Sequence, residues 1–109
     1  MTDGVRIYFS EYSGGNIDQV SITGGETSHI ATPFANLVIQ DISPNRSELL
    51  VLPFSGTEAE DPFWLVPLPS GAPRRIGNIQ GHSGVISPDG QQILYANGSA
   101  LFLAKLDGS

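Results

Sequence analysis

Hydrophobic residues occur along this 109-residue chain in short segments, each followed by residues that favour turns. The segments are rich in isoleucine, valine, leucine, phenylalanine and tyrosine, and glycine, proline, asparagine, aspartate and serine separate them. This composition is typical of β-strands joined by turns, and no segment has the helical period of about 3.6 residues. The pattern predicts an all-β fold with strands near residues 5–10, 17–22, 27–30, 37–43, 49–54, 63–68, 74–76, 83–87, 92–96 and 101–106.

One tripeptide, Ile-Ser-Pro, ends two of these predicted strands, at residues 42–44 and 86–88. The offset of 44 residues (86 − 42) is typical of propeller and solenoid repeats, whose periods are about 20–50 residues. Proline lacks a backbone donor and presets its φ angle, so each copy predicts a strand end followed by a turn. The turn motifs are Ser43, Pro44 and Asn45 in one copy and Ser87, Pro88, Asp89 and Gly90 in the other.

A second motif follows the third strand of each unit, at residues 22–25, 68–71 and 106–109. The loop before it is long and acidic in the middle unit and is a two-residue turn, Asn97–Gly98, in the last. Asn-Gly favours such hairpins because both positions tolerate a positive φ. Residues 5–9 also align with residues 91–95, within the last unit.

These alignments predict the domain organisation. Four antiparallel strands per repeat form the blade of a β-propeller. We therefore predict a single segment, 1–109, that is a partial β-propeller of about two and a half four-stranded antiparallel blades. Its parts are a blade remnant at 3–31, a complete blade at 36–77 and a partial blade at 82–109.

These motifs resemble the repeats of the TolB-like (WD40-like) bacterial β-propellers. Blades of that family carry a Ser-Pro-Asp-Gly turn between the first and second strands and a glycine-rich turn between the third and fourth. Residues 87–90 match the first motif in full, and residues 43–46 keep Ser-Pro but have asparagine and arginine in its second half. The resemblance covers nearly the whole chain. WD-repeat proteins fit less well, because no Trp-Asp pair ends a third strand, although Gly81–His82 resembles their Gly-His dipeptide.

Composition restricts the classes of partner. The chain has 5 basic and 11 acidic residues and a formal net charge of −6, which argues against direct nucleic-acid binding because such a surface repels phosphates. It has no cysteine, which excludes disulfides and thiolate metal sites. The longest apolar run, 49–54, is far shorter than the roughly 20 residues of a membrane span. Residues 1–4 lack the features of a secretory signal, so we expect a cytoplasmic protein, or a periplasmic one if a parent protein carries a signal peptide.

Few residues suggest chemistry, and for each a structural role is the preferred interpretation. His29 and His82 have no second ligand or nucleophile at a telling spacing; we expect His82 to cap or pack the loop entering a blade and His29 to be solvated. Glu58, Glu60 and Asp61 could share a calcium ion. Their spacing matches no known cation loop, however, and a solvated hairpin tip is the preferred prediction.

Aromatic and basic residues of the middle unit are the remaining candidates. We expect Trp64 to pack between blades rather than to offer a platform to a ligand. Arg74 and Arg75 are adjacent, and alternation along a strand places them on opposite faces. The sequence contains no Gly-Xaa-Ser-Xaa-Gly elbow, phosphate loop or zinc spacing. It therefore predicts no catalytic residue, no cofactor and no metal site in this segment.

The resemblance implies a non-catalytic scaffold for protein–protein interaction or ligand sensing. In some bacterial proteins similar propellers follow a winged-helix DNA-binding domain, which would make the parent protein a regulator. The alternative is the gating propeller of a prolyl-oligopeptidase-class serine peptidase, whose triad lies on a separate hydrolase domain. Because each blade buries its faces only against its neighbours, we also expect self-association or completion by the rest of a larger propeller. The identity of the protein partner or small ligand stays open.

Overall fold

A computed structural model describes residues 6–10, 16–25, 27–54, 59–68 and 71–107. The all-β prediction is confirmed, because these residues form strands, turns and bends and none belongs to a helix. Accordingly, the described part of the chain contains no helix that could cross a membrane. The strands are β1 (Arg6–Ser10), β2 (Asn16–Ser21), β3 (Ser28–Ala31), β4 (Leu37–Ile42), β5 (Glu48–Pro53), β6 (Asp61–Pro67), β7 (Arg74–Gly81), β8 (Ser83–Ile86), β9 (Gln92–Asn97) and β10 (Ala100–Lys105).

Within the described residues the strands form three antiparallel sheets, each a meander of consecutive strands. Sheet I contains β1, β2 and β3, sheet II contains β4 to β7, and sheet III contains β8, β9 and β10. Short turns between consecutive antiparallel strands produce this topology without any crossover. The middle of the chain is therefore a four-stranded sheet flanked by two three-stranded ones.

The seventh strand is longer than the sequence predicts. The sequence predicts a strand at 74–76, but β7 continues to Gly81. Its added residues pair with the start of β6, where Asp61 lies opposite Gly81 and Pro62 opposite Gln80. Glycine and asparagine have low strand propensity, so this extension depends on the partner strand. All other strand bounds agree with the prediction within two residues.

Sheet II packs against both neighbouring sheets, because its central strands are apolar on both faces. In β5, Leu49 and Val51 belong to the core cluster shared with sheet I, and Leu50 and Leu52 belong to the cluster shared with sheet III. This alternation follows from the two-residue period of a strand. In β6, Trp64 extends the cluster on the sheet I side, confirming its predicted packing role.

The edge strands β4 of sheet II and β8 of sheet III are joined by hydrogen bonds from backbone N–H groups of β8 to side chains of β4. Asp41 Oδ2 accepts from the N–H of Ile86 over 2.8 Å, and Gln40 Oε1 accepts from the N–H of Gly84 over 3.1 Å. Asp41 Oδ1 also accepts from the N–H of Ile42 over 2.8 Å. A β-bulge at this point in β4 is the kind of irregularity that re-aims side chains. The two sheets are thus held in register by polar contacts as well as by apolar packing.

Candidate functional site

The Ser-Pro turn of sheet II, at residues 43–48, is a compact hydrogen-bonded unit. The Ser43 hydroxyl donates to Asn45 Oδ1 over 2.7 Å and accepts from the N–H of Glu48 over 3.1 Å. Asn45 Oδ1 also accepts from the N–H of Ser47 over 3.1 Å. The N–H of Arg46 donates to the Ser43 carbonyl over 2.8 Å and closes the turn. Serine and asparagine are favoured here because their side chains satisfy nearby backbone groups.

The turn of sheet III repeats these bonds 44 residues later. The Ser87 hydroxyl donates to Asp89 Oδ1 over 2.5 Å and accepts from the N–H of Gln92 over 3.0 Å. Asp89 Oδ1 accepts from the N–H of Gln91 over 2.9 Å, and the N–H of Gly90 donates to the Ser87 carbonyl over 2.9 Å. Hydrogen bonds from the Ser87 hydroxyl, which has the larger effect, and from the Gln91 N–H hold the pKa of Asp89 below its usual value. The two turns are therefore structurally equivalent.

The turns differ at the residue with left-handed backbone conformation, which is Gly90 (φ 73°) in one and Arg46 (φ 61°) in the other. A residue with a Cβ atom is disfavoured there by roughly 1 kcal/mol. We expect Gly90→Ala to lower the free energy of unfolding by about 1 kcal/mol. We expect Arg46→Gly to raise it by only a few tenths of a kcal/mol, because relief of the positive φ is partly offset by the greater entropy of glycine in the unfolded chain. Urea denaturation of both variants checks this pair, and a loss of stability in Arg46→Gly would contradict it.

A second pair of equivalent bonds lies after the third strand of each unit. The N–H of Leu68 donates to the Ser47 carbonyl over 2.8 Å, and the N–H of Leu106 donates to the Gln91 carbonyl over 3.0 Å. Ser47 and Gln91 are 44 residues apart, whereas Leu68 and Leu106 are 38 apart. The last unit is therefore shorter than the middle one between its second and third strands, where the sequence has the two-residue Asn-Gly turn.

A cleft lies between the two Ser-Pro turns, at the edge of sheets II and III, and we call it the rim cleft. It has two adjoining hollows, of about 580 and 200 Å³. Residues of both turns line it, and Leu65, Ile86 and Leu106 form its apolar part. The two hollows share Arg74, Asp89, Gly90, Gln91 and Leu106.

Arg74 lines both hollows of the rim cleft. Its Nη1 donates to the Leu106 carbonyl over 3.0 Å, which links the last strand of sheet II to the end of sheet III. Its Nε lies 3.7 Å from Glu48 Oε2. The guanidinium is half-exposed, so it has room for a further contact. Arg75 pairs with Trp64 in β6 whereas Arg74 pairs with Leu65, so the predicted placement of the two arginines on opposite faces is confirmed.

The rim cleft combines charges of both signs. Its lining includes the cations of Arg74 and Lys105 and the carboxylates of Glu48, Asp89 and Asp107. Such a lining repels neither a cationic nor an anionic group of a ligand and offers a partner to each. The sequence predicted the turns but not this cleft, because Arg74 and Lys105 come from strands remote in sequence.

The opposite edge of sheets II and III contains the second histidine. His82 Nδ1 lies 3.0 Å from Glu60 Oε2, and Glu60 Oε1 accepts from the N–H of Gly98 over 2.8 Å. Asn97 Nδ2 donates to the Gln80 carbonyl over 2.9 Å. Glu60 therefore contacts both His82, at the start of sheet III, and the Asn-Gly turn, so His82 has a structural, hydrogen-bonded position at the entry to this sheet.

The Glu60 contacts predict a pH dependence of stability. The Gly98 N–H, and to a lesser extent His82, hold the pKa of Glu60 below its usual 4.5. A carboxyl with a lowered folded-state pKa stabilises the fold above its unfolded pKa, and this contribution is lost as pH falls through the folded-state value. As the pH is lowered below about 4.5, we expect the melting temperature of the wild type to decrease. The decrease should be smaller in Glu60→Gln, which has no carboxylate to protonate at this position. Thermal denaturation of both proteins from neutral to acid pH tests this prediction. An identical decrease in melting temperature in the two proteins would contradict it.

His29 has a partner that the sequence did not reveal. It was predicted to be solvated, and its side chain is indeed exposed, but its Nδ1 contacts Oδ1 of the buried Asp18. Asp18 and His29 lie directly opposite each other in β2 and β3. The predicted exposure is confirmed, whereas the contact with Asp18 was not predicted, because the register that pairs the two residues is set by the hairpin and not by their spacing.

Of the three acidic residues considered as calcium ligands, the structure describes Glu60 and Asp61. Glu58 lies outside the described residues, Glu60 contacts His82 and Gly98, and Asp61 begins β6. Within the described ranges, no group of three histidine, aspartate or glutamate side chains is arranged to hold a metal ion.

Comparisons with known proteins do not assign the chain to a family. No protein-family model matches it, and no curated protein matches it significantly. The TolB-like resemblance thus stays a prediction that rests on the motifs, and inferences about function rest on the geometry described above.

Proposed function

We propose that this chain is a non-catalytic β-propeller scaffold segment for protein–protein interaction or ligand sensing, with the three sheets as successive blades of TolB-like type. Three observations support this proposal. Each sheet is an antiparallel meander, sheet II packs face to face with both neighbours, and the turns of sheets II and III share their hydrogen bonds. Stacked repeats of this kind present loops along a common edge.

The observation that carries the proposal is the rim cleft. Two successive units place the same turn side by side there, and the space between them contains charges of both signs above an apolar floor. A concave site with convergent polar groups is the usual form of a binding site. The ligand that fits best is a polypeptide segment that carries both acidic and basic side chains, with Arg74 and Lys105 binding its carboxylates.

A binding experiment with defined peptides tests this function. Fluorescence anisotropy would compare a labelled peptide of alternating glutamate and lysine with a labelled peptide of serine and alanine. We expect the charged peptide to bind and the neutral one not to bind. Arg74→Ala is expected to weaken binding about tenfold, the equivalent of one charged hydrogen bond.

The matched control is Arg75→Ala, which removes the same charge from the opposite face of the same strand. It should leave the affinity for the charged peptide unchanged. Equal binding of both peptides, no binding of either, or an equal loss in the two arginine variants would contradict the assignment of the rim cleft.

A further inference from the structure

The last sheet of the stack has an apolar outer face. Leu101 and Leu103 are 70% and 60% exposed, and Val85 and Leu94 are more than 40% exposed. Leu94 lies opposite both Val85 and Leu103 in the sheet, and strand alternation places Leu101 on the same side as Leu103. We call these four residues the tail face. An exposed apolar patch of this kind marks an interaction surface.

The first sheet has an apolar outer face as well. Tyr8 is buried against sheet II, so Ile7 and Phe9, which alternate with it in β1, face the other way. Both are about 40% exposed, and Val20 lies opposite Ile7 on the same side. We call Ile7, Phe9 and Val20 the head face. Asp18, on this side of the sheet, already contacts His29, so its buried carboxylate is not left unpaired.

The repeat relates the tail face to an interface inside the chain. Leu94 is 44 residues after Leu50, and Leu50 packs in the cluster that joins sheet II to sheet III. Ile93, which alternates with Leu94, packs toward sheet II, just as Leu49 packs toward sheet I. The tail face therefore presents the side of a unit that binds the following unit.

The head face has the complementary position in the repeat. Residues 5–9 align with residues 91–95, so Ile7 and Phe9 correspond to Ile93 and Tyr95. Those two residues pack toward the preceding unit. One chain therefore carries both halves of the contact that already joins its own sheets.

We propose that the tail face of one copy of this chain packs on the head face of a second copy, and so continues the stacking of sheets between molecules. This contact is heterologous, and it produces a ring if the rotation closes and a filament if it does not. The inference goes beyond the proposed function, because it uses the outer sheet faces and leaves the rim cleft free. Its failure would therefore leave the peptide-binding test unaffected.

Two charge substitutions and their mixture test the proposal. Ile7→Asp disables the head face, and Leu103→Asp disables the tail face. Asn78→Asp, which adds the same charge at an exposed position of β7, is the control. We expect size-exclusion chromatography with light scattering to give a mass above 11.6 kDa for the wild type and the control, and 11.6 kDa for each face variant alone.

The mixture distinguishes a head-to-tail contact from a symmetric one. Equimolar Ile7→Asp and Leu103→Asp retain one intact tail face and one intact head face, so their mixture should form a species of twice the single-chain mass. A mixture that stays at 11.6 kDa, a face variant that keeps the wild-type mass, or a monomeric wild type would overturn the proposal. Circular dichroism checks folding, and Val20→Asp and Leu101→Asp replace any variant that fails to fold.

Discussion

Gly84→Ala is expected to lower the free energy of unfolding by about 1–3 kcal/mol, the usual cost of overpacking a core. A Cβ atom at Gly84 would lie 2.8 Å from Cε1 of Phe63 and 3.3 Å from Cδ1 of Ile93. Phe63 is fully buried, and a close-packed interior leaves its ring little room to shift. Its ring also lies 2.9 Å from the position that a Cβ atom would occupy at Gly81. A Cβ atom at Gly81 would also lie 2.4 Å from the carbonyl oxygen of Ala96 in β9, so glycine at both positions permits the close approach of sheet III to sheet II.

Thermal and urea denaturation measure this effect, with an expected fall of about 4–8 °C in melting temperature for each kcal/mol. The control is the double variant with Phe63→Leu, which removes the ring that the new methyl group meets. Its loss of stability should be smaller than the sum of the two single losses, because residues in contact are not additive. If the two stability losses add exactly, or if Gly84→Ala is as stable as the wild type, the Phe63 ring does not restrict the space next to Gly84.

Asp41→Ala is expected to cost about 2 kcal/mol, because it removes the acceptor for two backbone donors. The N–H groups of Ile42 and Ile86 both donate to this carboxylate. The bond to Ile86 joins β4 to β8, so its loss should loosen sheet III from sheet II in particular. Hydrogen exchange should then accelerate at Ile86, in addition to the change in the urea midpoint.

Asp41→Asn is the matched control for this position. Its amide oxygen can accept one of the two bonds, whereas its NH₂ group cannot accept the other. We therefore expect the free energy of unfolding of Asp41→Asn to lie between those of Asp41→Ala and the wild type. Equal stability of all three proteins, or unchanged exchange at Ile86, would contradict a role for Asp41 in joining the sheets.

The sequence predicted the strands and the turns because both depend on local chemistry. Serine and proline at 43–44 and 87–88 determine strand ends within a few residues of chain, and the structure gives both turns the same hydrogen bonds. The equivalence extended even to Arg46, which adopts a glycine-like backbone conformation that its residue type did not suggest. Repeats reinforce such predictions, since two copies must satisfy the same geometry.

The contacts between sheets were not predictable in the same way. Asp41 is an ordinary polar residue within a strand until β8 is placed beside β4, and Arg74 gains its role only when Leu106 lies next to it. The pairing of Asp18 with His29 likewise depends on hairpin register. The sequence signal for this contact is a pair of polar residues, Gln40 and Asp41, next to an apolar run. Their side chains accept hydrogen bonds from the backbone of the neighbouring strand β8.

We infer that each sheet is a repeated unit that buries its apolar faces only against other units. Sheets I and III each leave one such face exposed. Light scattering of the purified wild-type chain measures whether those faces are covered by other copies. We expect a mass above 11.6 kDa that rises with protein concentration, and a stable, monodisperse monomer of 11.6 kDa would contradict the inference.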